Sequence, residues 1–244
     1  MAASKRGAIL VGISGPSSSG KTTLSRHLRD IIPNSFILHE DDFYLPDASI
    51  PVHHGVADWD CLESLDLKAL QDALSHIRAH GSPPPELVSK EDQNSVGDSK
   101  VDAEVVAGLK RKAQSQAWDV RVAIVDGFLL FAEEMKDIRD LFDVKLFLRT
   151  DYLTAKSRRE ARKGYVTLDG FWEDPPGYVD TIVWPNYVKD HAFLFQGGNV
   201  EGDENQDLLQ ELKINIMPHE SQGSMTKCLQ WAYELLQSEL DASR

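Results

Sequence analysis

The feature that most constrains this chain is a glycine-rich segment that joins a predicted strand to a predicted helix. An apolar, β-branched run at residues 8–13 precedes it, and apolar residues at helical spacing follow over residues 24–32. Residues 15–22 match the pattern G-x-x-x-x-G-K-[ST] of a phosphate-binding loop. In such a loop, backbone N–H groups and the positive end of the following helix surround a phosphate. The pattern and its flanks predict a nucleotide site and disfavour an ordinary glycine turn.

The side chains of this segment suit a nucleoside triphosphate with its metal ion. Lys21 can reach the β- and γ-phosphates, and the Thr22 hydroxyl can ligate Mg²⁺. We therefore predict ATP and Mg²⁺ as the cofactors. The residues expected to bind the nucleotide are Gly15, Ser17, Ser18, Ser19, Gly20, Lys21, Thr22, Thr23 and Arg158.

Apolar strands alternate with helical segments along the chain, and this alternation predicts the fold class. We expect an α/β protein with a P-loop NTPase fold, in which a central parallel five-stranded sheet is flanked by helices and carries a helical lid. A single domain should span residues 1–244, with a polar, flexible insertion at about 82–118 and the lid at about 150–180. The five predicted strands are residues 8–13, 35–39, 120–126, 142–148 and 212–217.

Composition narrows the class of protein. A net charge of −13 over 244 residues argues against a general binder of nucleic acid or of membrane surfaces. The two cysteines, Cys61 and Cys228, are too few for a disulfide framework and favour a reducing compartment. The first apolar run carries the phosphate loop, so it predicts a core strand and not a signal peptide. We expect a monomer in the cytoplasm, or also in the nucleus, that acts on a small molecule.

Acidic residues follow two of the predicted strands. Asp41 and Asp42 come after the second strand, and Asp126 ends the third. Because ligands gather at the carboxyl ends of parallel strands, these carboxylates should lie beside the phosphate loop. There, one can accept a substrate hydroxyl proton and others can contact Mg²⁺ together with Thr22. Acidic residues that merely cap turns are the alternative.

A local excess of positive charge is unusual in so acidic a chain. Between residues 149 and 163 there are six basic residues and two acidic ones. Arg158, Arg159 and Arg162 have the spacing of one helical face, so they could converge on one anion. Arginines that close over a transferring phosphoryl group stabilise its charge and exclude water. We predict Arg158 and Arg159 as catalytic residues together with Lys21; an exposed helix with Arg–Glu pairs is the alternative.

Three further features have plain structural explanations beside the functional ones. His53 and His54 suggest a metal site, but no second ligand cluster has zinc-like spacing, so a solvated loop is favoured. Asp60 can cap the helix that follows it, with Glu63 completing the capping pattern, or it can bind a ligand. Trp59 can be a core residue or an aromatic wall for a planar ring.

Together, the motifs of this chain resemble those of the nicotinamide riboside kinases, in the uridine kinase-like branch of the P-loop kinases. The resemblance spans nearly the whole chain apart from residues 82–118 and 196–206. Its specific part is residues 175–187, since a phosphate loop alone indicates only the superfamily. Beyond that loop and the arginine segment, the motifs are Asp41-Asp42-Phe43-Tyr44, Trp59-Asp60, Asp126-Gly127-Phe128-Leu129-Leu130-Phe131, Pro175-Pro176-Gly177-Tyr178 and Val183-Trp184-Pro185-Asn186-Tyr187.

This resemblance implies an ATP-dependent kinase that phosphorylates the 5′-hydroxyl of nicotinamide riboside, and of nicotinic acid riboside, in NAD biosynthesis. Asp41 matches the family's catalytic aspartate and is also a metal-ligand candidate. Asp60 matches the carboxylate that holds the ribose 2′- and 3′-hydroxyls, assisted by Arg162. Trp59 and Tyr165 match two rings that enclose the pyridinium. The implied substrate-binding residues are Asp41, Asp42, Phe43, Trp59, Asp60, Arg162 and Tyr165.

The chain departs from the family pattern at two positions near the predicted metal. Asp126 stands where relatives have glutamate, which is one methylene longer, so its contact with the metal is expected to run through water. Glu40 stands where relatives more often have glutamine.

Other functions remain as alternatives. A uridine/cytidine, pantothenate or sugar-phosphate kinase of the same branch is the nearest, and Trp59-Asp60 with residues 175–178 favours the pyridinium riboside over it. A GTPase-type switch lacks support because no Asn-Lys-x-Asp-like segment is present. A non-catalytic nucleotide-binding module is disfavoured because Lys21 and Asp41 are retained. The adenine-contacting residues are expected near residues 217–219 and beside the lid.

Overall fold

Strands and helices alternate along the chain in the computed structural model, which describes residues 7–90, 100–116, 118 and 120–242. The strands are β1 Ala8–Ser14, β2 Ser35–His39, β3 Val52–His53, β4 Val56–Ala57, β5 Arg121–Asp126, β6 Val144–Phe147, β7 Tyr165–Val166, β8 Phe171–Trp172 and β9 Ile214–Ile216. The α-helices are α1 Lys21–Ile31, α2 Leu67–His80, α3 Ala103–Gln114, α4 Lys136–Arg139, α5 Tyr152–Glu160, α6 Trp184–His191, α7 Gln206–Leu212 and α8 Met225–Ala242.

A central sheet contains five of these strands in the order β2-β5-β1-β6-β9, and all of its pairs are parallel. The predicted five-stranded parallel sheet is therefore confirmed. In the register of this sheet, Asp126 at the end of β5 lies opposite Ile13 of β1 and His39 of β2. The carboxyl ends of these three strands consequently meet at one edge, where the phosphate loop and the acidic residues follow.

Both faces of the sheet are covered by helices, because side chains of a strand point alternately to its two faces. Leu10 belongs to the same buried cluster as Leu74 of α2. Ile13 belongs to the opposite cluster, with Leu28 of α1 and Leu229 of α8. Burying each such side chain stabilises the fold by about 1.5–3 kcal/mol. The sheet edge that carries the loops therefore belongs to a sheet that is packed against buried side chains on both faces.

The turn after β1 depends on a glycine. Gly15 has a φ of 138°, and a Cβ built there would lie 2.5 Å from the carbonyl oxygen of Leu148. No other residue fits that close approach between two strand ends without displacing backbone. The chain can therefore curl tightly before α1 begins at Lys21.

The segment expected as a helical lid is part helix and part hairpin. Helix α5 ends at Glu160, and strands β7 and β8 then form a two-stranded antiparallel sheet. A π-helical segment, Val179–Val183, leads into α6, which has a proline in its first turn. The hairpin was not predicted, since its strands are only two residues long and leave no periodic pattern.

The insertion has an ordered part that packs on the main core. This part is helix α3, capped by Asp102, whose Oδ1 accepts the N–H of Glu104 at 2.8 Å. Val106 and Leu109 pack against the cluster formed by α1 and α8. Residues 91–99 and 117 of the insertion lie outside the described part. Along the described ranges, none of the helices has both the length and the apolar character needed to cross a bilayer.

Candidate active site

A cavity of about 910 Å³ lies where the five parallel strands end. Each strand contributes a lining residue from the segment that follows it: Ser17 after β1, Asp41 after β2, Phe128 after β5, Arg149 after β6 and Met217 after β9. Small-molecule sites usually measure about 300–1,000 Å³. The cavity therefore has room for a nucleotide and a second small molecule side by side.

The phosphate-loop lysine is held by the loop itself. Lys21 Nζ donates hydrogen bonds to the carbonyl oxygens of Gly15 at 3.0 Å and Pro16 at 2.9 Å. Burial lowers the pKa of Lys21, and the negative charges of Asp41 and Asp126 act in the opposite direction. Those charges place both carboxylates within electrostatic reach of the lysine, as expected for residues that share one site.

A 3₁₀ turn, Glu40–Phe43, follows β2 and brings two of its carboxylates to the cavity. Asp41 and Asp42 both line the cavity wall, and Asp42 Oδ1 accepts the backbone N–H of Lys90 at 2.6 Å. That bond anchors the beginning of the insertion at the cavity rim, where Lys90 is itself a lining residue.

Asp126 is fixed by a neighbour that sequence reasoning did not single out. His39 Nδ1 and Asp126 Oδ1 are 2.5 Å apart, and both side chains are almost fully buried. The second carboxylate oxygen, Oδ2, is buried and has no hydrogen-bond partner among the described residues. In the sequence, the sign of this pair is that each of the two residues ends a predicted strand. The register of the folded sheet then places His39 opposite Asp126.

Glu40 is fully buried directly behind this edge. Its Oε2 accepts the N–H of Leu129 at 3.0 Å, and burial raises its pKa to about 7. A Cβ at Gly127 would lie 2.4 Å from that oxygen, so the glycine makes room for the carboxyl group. Glu40 therefore joins the turn after β2 to the loop after β5.

Asp60 does not cap a helix. Helix α2 begins at Leu67, and its cap is Asp66, whose Oδ1 accepts the N–H of Ala69 at 2.9 Å. The alternative prediction that Asp60 caps this helix was therefore wrong, because a 3₁₀ turn at Leu62–Ser64 delays the start of the helix. Asp60 lines the cavity instead.

Asp60 forms a two-point ion pair with Arg159. Arg159 Nη1 donates to Oδ1 at 2.7 Å and Nη2 donates to Oδ2 at 2.9 Å. The same guanidinium donates to Asp174 of the lid at 2.6 Å and to Ser17 Oγ of the phosphate loop at 3.0 Å. Burial raises the pKa of Asp60, and the charge of Arg159 counters it. One arginine thus connects the lid, the phosphate loop and Asp60.

The three arginines expected to converge on one anion point to three different partners. Arg158 Nη1 donates to the carbonyl oxygen of Ser18 at 3.2 Å, whereas Arg159 holds Asp60. Arg162 donates to the hydroxyl of Tyr165 at 3.1 Å and covers that ring. The prediction that the three arginines share one helical face was wrong, because α5 ends at Glu160 and Arg162 lies beyond it.

Aromatic rings form the wall around Asp60. Trp59 is buried and contacts Tyr44 edge-on at 5.3 Å and Trp172 at 5.8 Å between ring centres. Tyr165 lies beneath two guanidinium groups, those of Arg159 at 5.2 Å and Arg162 at 5.3 Å. All of these rings line the cavity.

The structure replaces one of the expected substrate-binding residues. Phe43 is buried in the hydrophobic core, and its neighbour Tyr44 lines the cavity in its place. Phe128 and Trp172 are further lining rings that sequence reasoning did not assign. Phe128 belongs to the motif at residues 126–131, whereas Trp172 lies outside the named motifs, and aromatic residues are as common in cores as in sites.

His53, one of the paired histidines, belongs to a hydrogen-bonded network. His53, Asp58 and Cys61 bring ligand-type atoms within 4.8 Å of one another. The Asp58 carboxylate, however, already accepts bonds from His53 at 2.8 Å and from Asn186 at 2.9 and 3.1 Å. Burial also raises the pKa of the Cys61 thiol to about 12, so a cation would have to displace a tightly held proton. These contacts favour a structural role over a metal site.

Residues from the last third of the chain also line the cavity. Met217, Ser221, Met225 and Cys228 line it together with Arg149. Arg149 is buried and held by Glu204 at 2.5 Å and by the carbonyl oxygen of Gly202 at 2.7 Å. Met217 is one of the residues near which the adenine contacts were expected, and it lines the cavity.

Comparison with known proteins gives relatives along most of the chain. Nicotinamide riboside kinase of Schizosaccharomyces pombe is 43% identical over 228 residues, which cover 93% of this chain and 95% of that protein. Nicotinamide riboside kinase of Saccharomyces cerevisiae is 40% identical over 201 residues, 80% of this chain and 82% of that protein. Nicotinamide riboside kinase 1 of Homo sapiens is 30% identical over 181 residues, 74% and 75%. A scan against protein-family models found no match.

Proposed function

This chain belongs to the nicotinamide riboside kinase family, and on that premise we propose how its cavity phosphorylates the riboside. It is a phosphotransferase that acts on nicotinamide riboside in NAD biosynthesis. A uridine or cytidine kinase of the same branch is not favoured. The observation that carries the proposed assignment is the Asp60–Arg159 pair, which lines the same cavity as the phosphate loop and Asp41.

The residues at the sheet edge suit ATP with Mg²⁺. The hydroxyl oxygens of Ser18 and Ser19 are buried without hydrogen-bond partners among the described residues, as is Asp126 Oδ2. Thr22 also lines the cavity. We assign the loop residues 15–23 to the phosphates, and Thr22 and Asp126, together with Asp41, to the metal, with Asp126 acting through water. When bound, Mg²⁺ would neutralise charge on the phosphate oxygens.

Asp60 and Arg159 suit a vicinal diol. A carboxylate has about four acceptor positions, and Arg159 occupies two of those on Asp60. The remaining positions can accept the ribose 2′- and 3′-hydroxyl protons. We therefore assign the assisting arginine to Arg159, since Arg162 contacts Tyr165.

Trp59 and Tyr165 supply the faces for the pyridinium ring. Arg162 now covers Tyr165 from 5.3 Å, so that ring face already binds a planar cation. A pyridinium is also a planar cation and is attracted to an aromatic face in the same way. We propose that the substrate ring replaces the Arg162 guanidinium on Tyr165, with the Trp59 wall opposite it. Nicotinic acid riboside has the same charged ring and should also be accepted.

Proton transfer and phosphoryl transfer take place at the opposite end of the riboside, at its 5′-hydroxyl. Asp41 orients the 5′-hydroxyl and accepts its proton as the hydroxyl oxygen bonds to the γ-phosphorus. The bond between that phosphorus and the β–γ bridging oxygen of ATP breaks in the same step, so ADP is the leaving group. Lys21 leaves the carbonyls of Gly15 and Pro16 to contact the phosphates, and Arg158 approaches over the phosphate loop. These cations stabilise the charge that develops during transfer and exclude water.

The proposed function is tested by measuring ADP formation with a panel of acceptors. The panel is nicotinamide riboside, nicotinic acid riboside, uridine, pantothenate and no acceptor, each with ATP and with GTP. We expect fast turnover with the two pyridinium ribosides only. Equal turnover with uridine, or hydrolysis of GTP without any acceptor, would overturn the proposal. The monomeric state and the cytoplasmic or nuclear location stay predictions.

A further inference from the structure

The segment that carries Trp59 and Asp60 has no regular secondary structure. Residues 58–61 follow β4 and precede a 3₁₀ turn. Few backbone bonds hold them: the N–H of Asp58 donates to the carbonyl oxygen of Pro51 at 2.8 Å, and the carbonyl oxygen of Cys61 accepts the N–H of Ser64 at 3.2 Å. Buried backbone N–H and C=O groups need hydrogen-bond partners elsewhere. The position of Asp60 in the cavity therefore depends on which side chains bind this segment from outside.

Tyr178 supplies the first of these contacts. Its hydroxyl accepts the backbone N–H of Trp59 at 2.9 Å and donates to the carbonyl oxygen of Ala57 at 3.2 Å. The Tyr178 side chain is almost completely buried, and its ring lies 5.4 Å from the Arg159 guanidinium. The Tyr178 hydroxyl thus holds the backbone on both sides of Asp58. The Tyr178 ring lies beside the arginine that pairs with Asp60.

Asn186 supplies the second set of contacts. Its Nδ2 donates to both carboxylate oxygens of Asp58, at 3.1 and 2.9 Å, and lies 3.2 Å from the carbonyl oxygen of Asp60. Asp58 Oδ1 in turn accepts the backbone N–H of Asp60 at 3.0 Å. The amide, the carboxylate and the Asp60 backbone form a closed set of hydrogen bonds.

We propose that Tyr178 and Asn186 are positioning residues that set the affinity for the riboside by holding Asp60 and Trp59 in place. The inference rests on the proposed function, because it takes Asp60 and Trp59 as the riboside-binding residues. It explains why the Pro-Pro-Gly-Tyr and Trp-Pro-Asn segments accompany Trp59-Asp60 in this chain. Neither residue touches the substrate, and both act through the backbone of residues 57–60.

The two substrates should respond differently when this support is weakened. ATP is bound by the backbone of the phosphate loop, which is fixed by β1 and α1. The riboside is bound by a segment without such a frame. A shift of that segment should therefore raise the KM for the riboside and leave the KM for ATP unchanged, whereas general loss of folding would affect both.

Tyr178→Phe tests the proposal with the smallest change, since it keeps the buried ring and removes the two hydrogen bonds. We expect the riboside KM to rise roughly five- to thirtyfold with ATP KM unchanged, and Tm to fall by a few degrees because two backbone groups lose their partner. Tyr233→Phe is the matched control, because the buried Tyr233 hydroxyl has no hydrogen-bond partner among the described residues. That control should leave both KM values unchanged.

Asn186→Leu is the second variant, and it removes the amide while keeping similar bulk. It should raise the riboside KM in the same selective way, and Tm reports any loss of folding. Riboside KM values unchanged in both variants, or an equal rise in ATP KM, would overturn the inference. Wild-type enzyme without riboside-dependent ADP formation would overturn the proposed function itself, so the two failures are distinguishable.

Discussion

Arg159 binds both carboxylate oxygens of Asp60, at 2.7 and 2.9 Å, and the hydroxyl of Ser17 at 3.0 Å. The arginine belongs to the lid, Asp60 to the riboside side of the cavity and Ser17 to the phosphate loop. One buried guanidinium therefore contacts all three of these parts.

Arg159→Lys should weaken riboside binding much more than Arg162→Lys does. Lysine keeps the charge but cannot form two parallel hydrogen bonds to a carboxylate. We expect the riboside KM of Arg159→Lys to rise roughly tenfold or more. Arg162→Lys is the matched control, with a small change expected. If steady-state kinetics show the larger rise in riboside KM for Arg162→Lys, then Arg162 is the arginine that assists Asp60.

Asp60→Asn should remove the preference for a ribose with both ring hydroxyls. Hydrogen bonds to a charged group are worth about 1.5–3 kcal/mol, so riboside affinity should fall roughly ten- to hundredfold. The informative comparison uses the 2′-deoxy analogue of the riboside. Wild type should discriminate strongly against it, and the variant should not. If the variant discriminates as well as wild type does, Asp60 does not bind the 2′-hydroxyl.

The framework of this protein could be predicted from its sequence because its signals are local. The apolar runs before Lys21 and Asp126 have the length and composition of buried strands, and the five-stranded parallel sheet is as predicted. The glycine pattern fixed the phosphate loop because only a tight turn can present several N–H groups to one anion. The cavity then follows from the rule that loops at the carboxyl ends of parallel strands gather ligands.

Side-chain pairing was not predictable in the same way. The sequence contains Arg158, Arg159 and Arg162 close together, and which of them reaches Asp60 depends on where α5 ends. Asp60 was a plausible helix cap because caps are recognised by local spacing, and a single 3₁₀ turn moved the cap to Asp66. Contacts between residues 99 positions apart leave no periodic trace in one sequence.

Trp59→Leu should reduce affinity selectively for charged acceptors. Stacking of a cation on an aromatic face is worth about 0.5–2 kcal/mol, which leucine cannot supply. We expect the KM for nicotinamide riboside to rise, while weak binding of the uncharged nucleoside uridine changes little. Trp59→Phe keeps an aromatic face and serves as the control. Equal losses for both acceptors would indicate a packing role for Trp59.

His191 should make the fold less stable in acid. The side chain is fully buried, and burial lowers its pKa from 6.5 to about 4. Below pH 6.5 the His191 side chain binds a proton in the unfolded chain, whereas in the folded chain it stays neutral until the pH approaches 4. Stability from this group is therefore complete above pH 6.5 and is lost as the pH falls towards 4, by roughly 1.4 kcal/mol per pH unit.

The measurement is the free energy of unfolding at several pH values in denaturant for wild type and His191→Phe. Between pH 7.5 and pH 5, wild type should lose roughly 2 kcal/mol more than the variant does. His54→Gln, in an exposed hairpin, should follow wild type. Parallel pH profiles for wild type and His191→Phe would show that His191 is protonated equally in both states.

The most direct test of the account is the rate of ADP formation from ATP and nicotinamide riboside in wild type and in Asp41→Asn. Asparagine keeps the size of the side chain but cannot accept the 5′-hydroxyl proton. We predict that kcat falls by roughly 10²–10⁴, the usual contribution of a general base, while the Kd for ATP measured without Mg²⁺ is unchanged. An Asp41→Asn enzyme that phosphorylates nicotinamide riboside at the wild-type rate would contradict the account.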